Sequence, residues 1–535
     1  MLFTSYAFVA FVAVVAVLYY VLPKKAQWPL LLLASYVFYF IAGPSFLIYI
    51  TATVVSTWYA GLRIGRIGAA HAADAEAGKA TRSKEDRKAV KAKAKAKAKA
   101  KQRAWLVACL LFNFGILAVV KYSNFAIFNV NSLLAAFGSP DKLSFLTIAL
   151  PMGISFYTFK TMSYLIDLYR GKFPAERNVF RLALFTSFFP QLVQGPISRF
   201  DDLSKSLFEE HRFDRRVVLS GLQRILWGFF KKLVIADRIL AGVTTLIKNP
   251  DQYTGAFVLV GMLFYALQLY ADFTGGIDIT IGISEMLGIK VAENFNAPFL
   301  SRNITDYWRR WHITMGTWFR DYIFYPMSVA QPMLRLSRWC REKLGEGFGK
   351  RVTVYLATLV TWFATGVWHG SSWNFIAWGL ANGFVIILSH ECEPLYKRFH
   401  ARFHWKGKPA YTAFEVVRTV LLMSSIRLFD CYRDVPLTFR MFGTMFTTFN
   451  YGRLFDGTLL KIGLSGADYA VLGVGLAVLI GSRVVKDRTG DFRERLAAGP
   501  AWVRTAATFA LILAILVLGA YGIGYDAKQF IYNQF

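Results

Sequence analysis

The stretch TWFATGVWHGSSWNFIAWG, residues 361–379, joins an apolar run, a histidine and a helix-break signal. Residues 352–368 carry no charged side chain, and a run of about 17 residues is enough to cross the hydrocarbon core of a bilayer. Gly370 suits the position just past a helix end, and Ser371 or Ser372 suits the cap of a following helix. Residues 375–388 are apolar again. The spacing predicts two membrane helices joined by a break that holds His369. Non-helical backbone at membrane depth is tolerated only inside protein or beside a water-filled cavity. A neutral imidazole there is placed to take the proton of a substrate hydroxyl. By position alone, a histidine in an ordinary surface turn between two helices fits equally well.

Working outward, apolar runs recur at residues 6–22, 29–50, 105–120, 257–273, 471–481 and 507–523. The chain has 535 residues, of which 55% are hydrophobic and 18% charged, which excludes an ordinary soluble domain. We expect an all-α polytopic membrane bundle of roughly ten to twelve segments, some broken or re-entrant, around a central tunnel. The first run has no basic stretch before it and no small-residue cleavage signal after it, so it is expected as a retained helix. The four cysteines form no paired motif, so neither a disulfide framework nor a metal site is expected.

The net charge of +29 clusters at loop positions between apolar runs. The densest cluster contains KAKAKAKAKAK, residues 91–101, which has no apolar face and no interleaved aromatics. Like charges one turn apart weaken any helix there, and nucleic acid is not the expected partner. The expected organisation is N-terminal membrane helices at 1–62, a basic cytoplasmic linker at 63–104, a catalytic membrane core at 105–395, and C-terminal helices and loops at 396–535. Positive loops stay inside. The linker and the Lys24-Lys25 pair then agree on an external N-terminus in a multi-pass plasma-membrane protein. Residues 219–247 combine an apolar helix with a cationic face, the pattern of an interfacial or snorkelling helix.

Of the seven histidines, only His312 and His369 have apolar and aromatic neighbours on both sides. Treated as one helix, residues 303–322 put Trp308, Arg309, His312, Gly316 and Arg320 on one face at about 100° per residue. Asp321 falls on the other side. Gly316 leaves room beside the imidazole, and the arginines suit a phosphate or carboxylate. A juxtamembrane helix anchored by Trp and Arg is the plainer alternative. Asp272 and Asp278 flank Gly275-Gly276, which should break or kink their helix, and either acid could pair with Arg309 or Arg320. No Walker loop, GxSxG elbow or HExxH motif is present.

The segments NFNAPF (294–299), DYWRRWH (306–312), WFRDY (318–322) and GVWHGSSW (366–373) resemble the membrane-bound O-acyltransferase family. The branch is that of alginate O-acetylation and teichoic-acid D-alanylation, and PMGISFYTF (151–159) and QGPI (194–197) resemble it too. The chain departs from the branch pattern at Ala271 and Gly276. The resemblance implies that His369 is catalytic and that His312 is a second functional histidine. It implies a bundle into which donor and acceptor enter from opposite faces. Arg309, Arg320, Trp308, Gly316, Asn294, Asn296 and Trp373 are the expected substrate-binding residues. No permanently bound cofactor is expected. The donor would be an acyl-CoA or acyl-carrier-protein thioester. The acceptor would be a hydroxyl of an exported polysaccharide, or a partner protein that completes the transfer outside. Membrane lipid surrounds the protein. D-alanyl transfer to teichoic acid is the alternative within the class. A transporter without covalent chemistry and an assembly scaffold are the alternatives outside it.

Overall fold

The computed structural model describes residues 3–77, 84–490 and 492–521. All regular secondary structure among these is helical. Among the described residues, six helices are long and apolar enough to cross a membrane, or seven if the bent pair Trp373–Glu391 and Glu393–Phe403 is one span. Tyr6–Val21 is equally apolar but shorter. The chain divides into two compact units.

The first unit comprises 6–213 and 287–291. Its main helices are α1 (Tyr6–Val21), α2 (Gln27–Ala42), α3 (Phe46–Ala77), α4 (Lys84–Ala136) and α5 (Ile154–Arg170). Phe8, Tyr19, Leu31, Phe38 and Tyr39 fill its core. Lys160 is buried there and donates to Gln191 at 3.0 Å. The Lys-Ala repeat is helical and continuous with the apolar part of α4, where a loose linker was expected. Within the repeat, Lys99 donates to the Tyr169 carbonyl at 2.8 Å and lies over its ring. Residues 78–83 of the expected linker, Arg82 included, lie outside the described residues, as do 522–535.

The second unit comprises residues 3–5, 214–286 and 292–521 of the described chain. It contains α6 (Arg215–Phe229), α7 (Asp237–Lys248), α8 (Ala256–Met286), α9 (Ile304–Arg310), α10 (Ile313–Phe319), α11 (Glu346–His369), α12 (Trp373–Glu391), α13 (Pro409–Ile426), α14 (Gly466–Thr489) and α15 (Ala501–Leu518). The glycines of α8 do not break it. Gly275 lets α8 approach α6, because a Cβ there would sit 2.9 Å from the Gly228 carbonyl oxygen. Seven residues on, Gly282 meets Gly221 in the same way, at 2.7 Å. Small residues facing each other are how membrane helices gain close contact, since lipid offers no hydrophobic drive between them.

The acids of α8 pair differently from expectation. Asp272 bonds Lys232 at 2.7 Å, and Lys232 also holds Asp237 at 2.6 Å. Asp278 holds Arg224 at 3.0 Å and also Lys231. The cationic face of residues 219–247 therefore points inward. A π-helical turn, Phe230–Ala236, rotates Lys231 and Lys232 toward α8. A buried charge is tolerated only with a partner, and the two aspartates supply it.

Candidate active site

His369 is the last residue of α11, and α12 begins at Trp373. The two helices cross where Gly366 faces Gly379; a Cβ on Gly366 would lie 2.5 Å from the Phe375 carbonyl oxygen. This crossing brings Trp378 against His369, with ring centroids 4.6 Å apart. The break is present, but not by the expected geometry. Gly370 is extended (φ −170°), and its lack of a side chain is needed because a Cβ would run into the Phe375 ring. Ser372 stands at the N-cap position, yet its hydroxyl bonds the Asn374 side chain at 2.5 Å. Asn374 in turn donates to the Phe429 carbonyl at 3.2 Å.

His312 lies between α9 and α10 in the left-handed conformation, φ +46°. The single helix expected over 303–322 is thus broken at the histidine itself. The cause is the stretch 294–296, which takes hydrogen bonds a helix would have used. Asn296 N donates to the Arg310 carbonyl and Ile313 N to the Asn294 carbonyl, each at 2.9 Å. Asn294 Oδ1 accepts from Thr314 N at 3.1 Å and from the Thr314 hydroxyl at 2.9 Å. These bonds offset a left-handed residue that costs about 1–2 kcal/mol.

Asn294 also sets the tautomer of His312. Its Oδ1 must accept, since a backbone N–H points at it, so His312 Nδ1 at 3.2 Å is assigned as the donor. The Nε2 lone pair is left free; that atom is buried and makes no hydrogen bond among the described residues. The loop lies outside the membrane-crossing helices. Burial pushes the imidazole's pKa down to about 3, and the charge of Arg427 acts in the same direction. His312 therefore stays neutral throughout the range in which histidines usually titrate.

The two histidines share one neighbour. The Trp368 ring is 6.0 Å from His312 and 5.0 Å from His369. Phe273 closes the other side of His312 at 4.9 Å. Two cavities flank this centre. One, of about 870 Å³, is lined by Trp308, Arg309, Gly316 and Arg320 and reaches Thr365, one helical turn before His369. The other, of about 780 Å³, is lined by Arg224, Asp278, Glu293, Arg483 and apolar residues of α14 and α15. Its wall includes Phe295, which stacks on His312 at 6.5 Å.

Four expected binding residues, Trp308, Arg309, Gly316 and Arg320, thus share the first cavity. His312 does not share it; the left-handed turn points its ring elsewhere, to 0% exposure. Arg320 pairs with its sequence neighbour Asp321 at 3.0 Å, at the start of a π-helical turn, Arg320–Phe324. Asn294 orients His312 from behind. Asn296 accepts from Arg483 at 2.9 Å, toward the second cavity. Trp373 is 54% exposed and lines neither cavity.

The membrane-bound O-acyltransferase family (MBOAT) model matches residues 176–341. The chain is 30% identical to a probable alginate O-acetylase AlgI of Pseudomonas putida, over 90% of this chain and 86% of that protein. It is 35% identical to the probable alginate O-acetylase AlgI of Azotobacter vinelandii, over 72% of this chain and 67% of that one. The chain belongs to the membrane-bound O-acyltransferase family. A teichoic acid D-alanyltransferase of Bacillus subtilis is also similar, at 30% identity over 49% of this chain and 63% of its own length. The protein is a multi-pass membrane O-acyltransferase. The matched MBOAT segment contains His312 and stops short of His369. It also stops short of Arg427 and Asp430, a buried ion pair beside the MBOAT centre that motif reading missed. The available signal was two opposite charges three residues apart at the end of a long apolar run, 419–431.

Proposed function

We propose that the chain moves an acyl group, acetyl in the first instance, from a cytoplasmic thioester donor to a hydroxyl of an exported envelope polysaccharide. The hydroxyl is taken up directly or through a partner protein. The observation behind this reading is the pair of imidazoles on one indole, with one cavity reaching Thr365 and the other Phe295. Two substrates that never share a compartment need two approaches to one reacting centre. The donor takes the first cavity, whose wall includes Arg302, Arg309, Arg320 and Arg418. Guanidinium groups suit the phosphates of a pantetheine-bearing donor. His369 is the general base for the acceptor hydroxyl. His312, held as its Nδ1–H tautomer, offers a fixed lone pair at the same centre. The names of the relatives support acetyl transfer to a polysaccharide over D-alanyl transfer, because the alginate proteins match far more of the chain.

The test is transfer from a radiolabelled acetyl thioester by the purified protein in proteoliposomes, with a hydroxyl polymer on the opposite side. Label on the polymer supports the reading. Thioester consumed with no label on the polymer overturns it.

The same reading places the basic stretch 63–104 in the cytoplasm and the N-terminus outside. A cysteine introduced at Ala94, a position in the helical Lys-Ala repeat, should resist a membrane-impermeant thiol reagent in intact cells and react after permeabilisation. Reaction in intact cells would show the reverse orientation.

A further inference from the structure

Arg427 follows directly on α13, outside the stretch in which the sequence motifs lie. Its side chain is 7% exposed and bonds Asp430, 4% exposed, at 3.0 Å. The guanidinium carbon lies 4.9 Å from the Trp311 ring centre, 5.3 Å from Trp378 and 5.9 Å from Trp308. A cation held against three indoles is far more than a buried pair needs for neutrality, and each such contact favours one arrangement of ring and guanidinium.

Those three rings lead to both histidines. Trp378 packs on His369 at 4.6 Å. Trp311 immediately precedes His312, the residue in the left-handed conformation. Trp308 stacks edge-on against Trp378 at 5.7 Å and against Trp362 at 4.7 Å, and its indole N–H donates to Asn382 at 3.1 Å. The short helix Leu428–Tyr432 that holds Asp430 is itself tied to the turn after His369, through the bond from Asn374 to the Phe429 carbonyl. One ion pair therefore touches the supports of both imidazoles, while neither of its members lines the donor cavity.

We propose that Arg427, held by Asp430, is the positioning residue of the transfer centre, fixing Trp308, Trp311 and Trp378 and through them the relative placement of His369 and His312. Replacing the pair by apolar residues of similar volume is the informative change. Such replacements often leave a buried site as stable as before, so a purely structural pair is dispensable once its volume is filled. A positioning pair is not, because the rings lose the planar cation that orients them, and a displacement of about 1 Å at a reacting centre costs about 10²-fold in rate.

The experiment measures turnover, donor KM and thermal midpoint for Arg427→Met with Asp430→Leu, and for Arg427→Lys, in the full chain in proteoliposomes. The double variant should keep its thermal midpoint and donor KM and lose about 100-fold in turnover. Arg427→Lys keeps the charge and loses the flat fork, and should lose turnover in the same direction by less. Wild-type turnover in a folded double variant overturns the inference. If that variant does not fold, Arg427→Lys decides: reduced turnover at unchanged KM upholds it, and wild-type turnover overturns it. The inference rests on the reading of the two histidines as the reacting centre. If His369→Ala abolishes transfer while Arg427→Lys turns over normally, only the positioning role falls. If His369→Ala turns over normally, the underlying reading falls.

Discussion

His369→Ala will lower acyl transfer by about 10²–10⁴-fold, the range that general acid–base help from one side chain supplies. Donor binding should persist, because His369 does not line the first cavity, the one proposed for the donor. The fold should persist as well. His369 is half-buried at a helix end, where its contacts include edge-on ring contacts with Trp368 and Trp378. The crossing that sets α11 against α12 is made by Gly366 and Gly379, which the substitution leaves alone. Turnover, donor affinity and thermal midpoint measured together separate these effects. A variant with near-normal turnover sinks the assignment of His369 as the base.

Gly316→Leu should weaken donor binding by about 10-fold or more, the penalty for unwanted methylenes in a fitted pocket, with no loss of thermal stability. Gly316 lines the first cavity, the one proposed for the donor, and a Cβ there meets only the Trp308 carbonyl oxygen, at an ordinary 3.7 Å. The added side chain therefore takes space that belongs to the donor rather than to the protein. Gly366 behaves oppositely: a Cβ there meets the Phe375 backbone at 2.5 Å, so a side chain disturbs the helix crossing itself. A donor titration and a melting curve for Gly316→Leu are sufficient. Normal donor affinity means that the cavity is not the donor's path.

Fold class and the break at His369 were legible in the sequence because apolar length and glycine placement are local signals. The break at His312 was not, because nothing within 303–322 demands it. It comes from Asn294 and Asn296, which pair with Thr314, Ile313 and Arg310 across the loop. The periodicity still grouped Trp308, Arg309, Gly316 and Arg320 correctly, since the left-handed turn swings His312 away and returns the chain to the same cavity. Trp373 follows His369 by four residues but is more than half exposed and lines neither cavity. The partners of Asp272 and Asp278 were out of reach for a further reason. The π-helical turn at Phe230–Ala236 shifts the helical phase, and no residue pattern in 219–247 announces that shift.

The most direct test of the central claim is photo-crosslinking with a non-hydrolysable acetyl-donor analogue that carries the photoreactive group at its acyl end. Adducts are expected on Thr365, Trp362 and Met315, residues of the first cavity's wall, with Thr365 one helical turn before His369 and Met315 three residues after His312. Adducts on Trp227 or Leu511, in the second cavity, would contradict it.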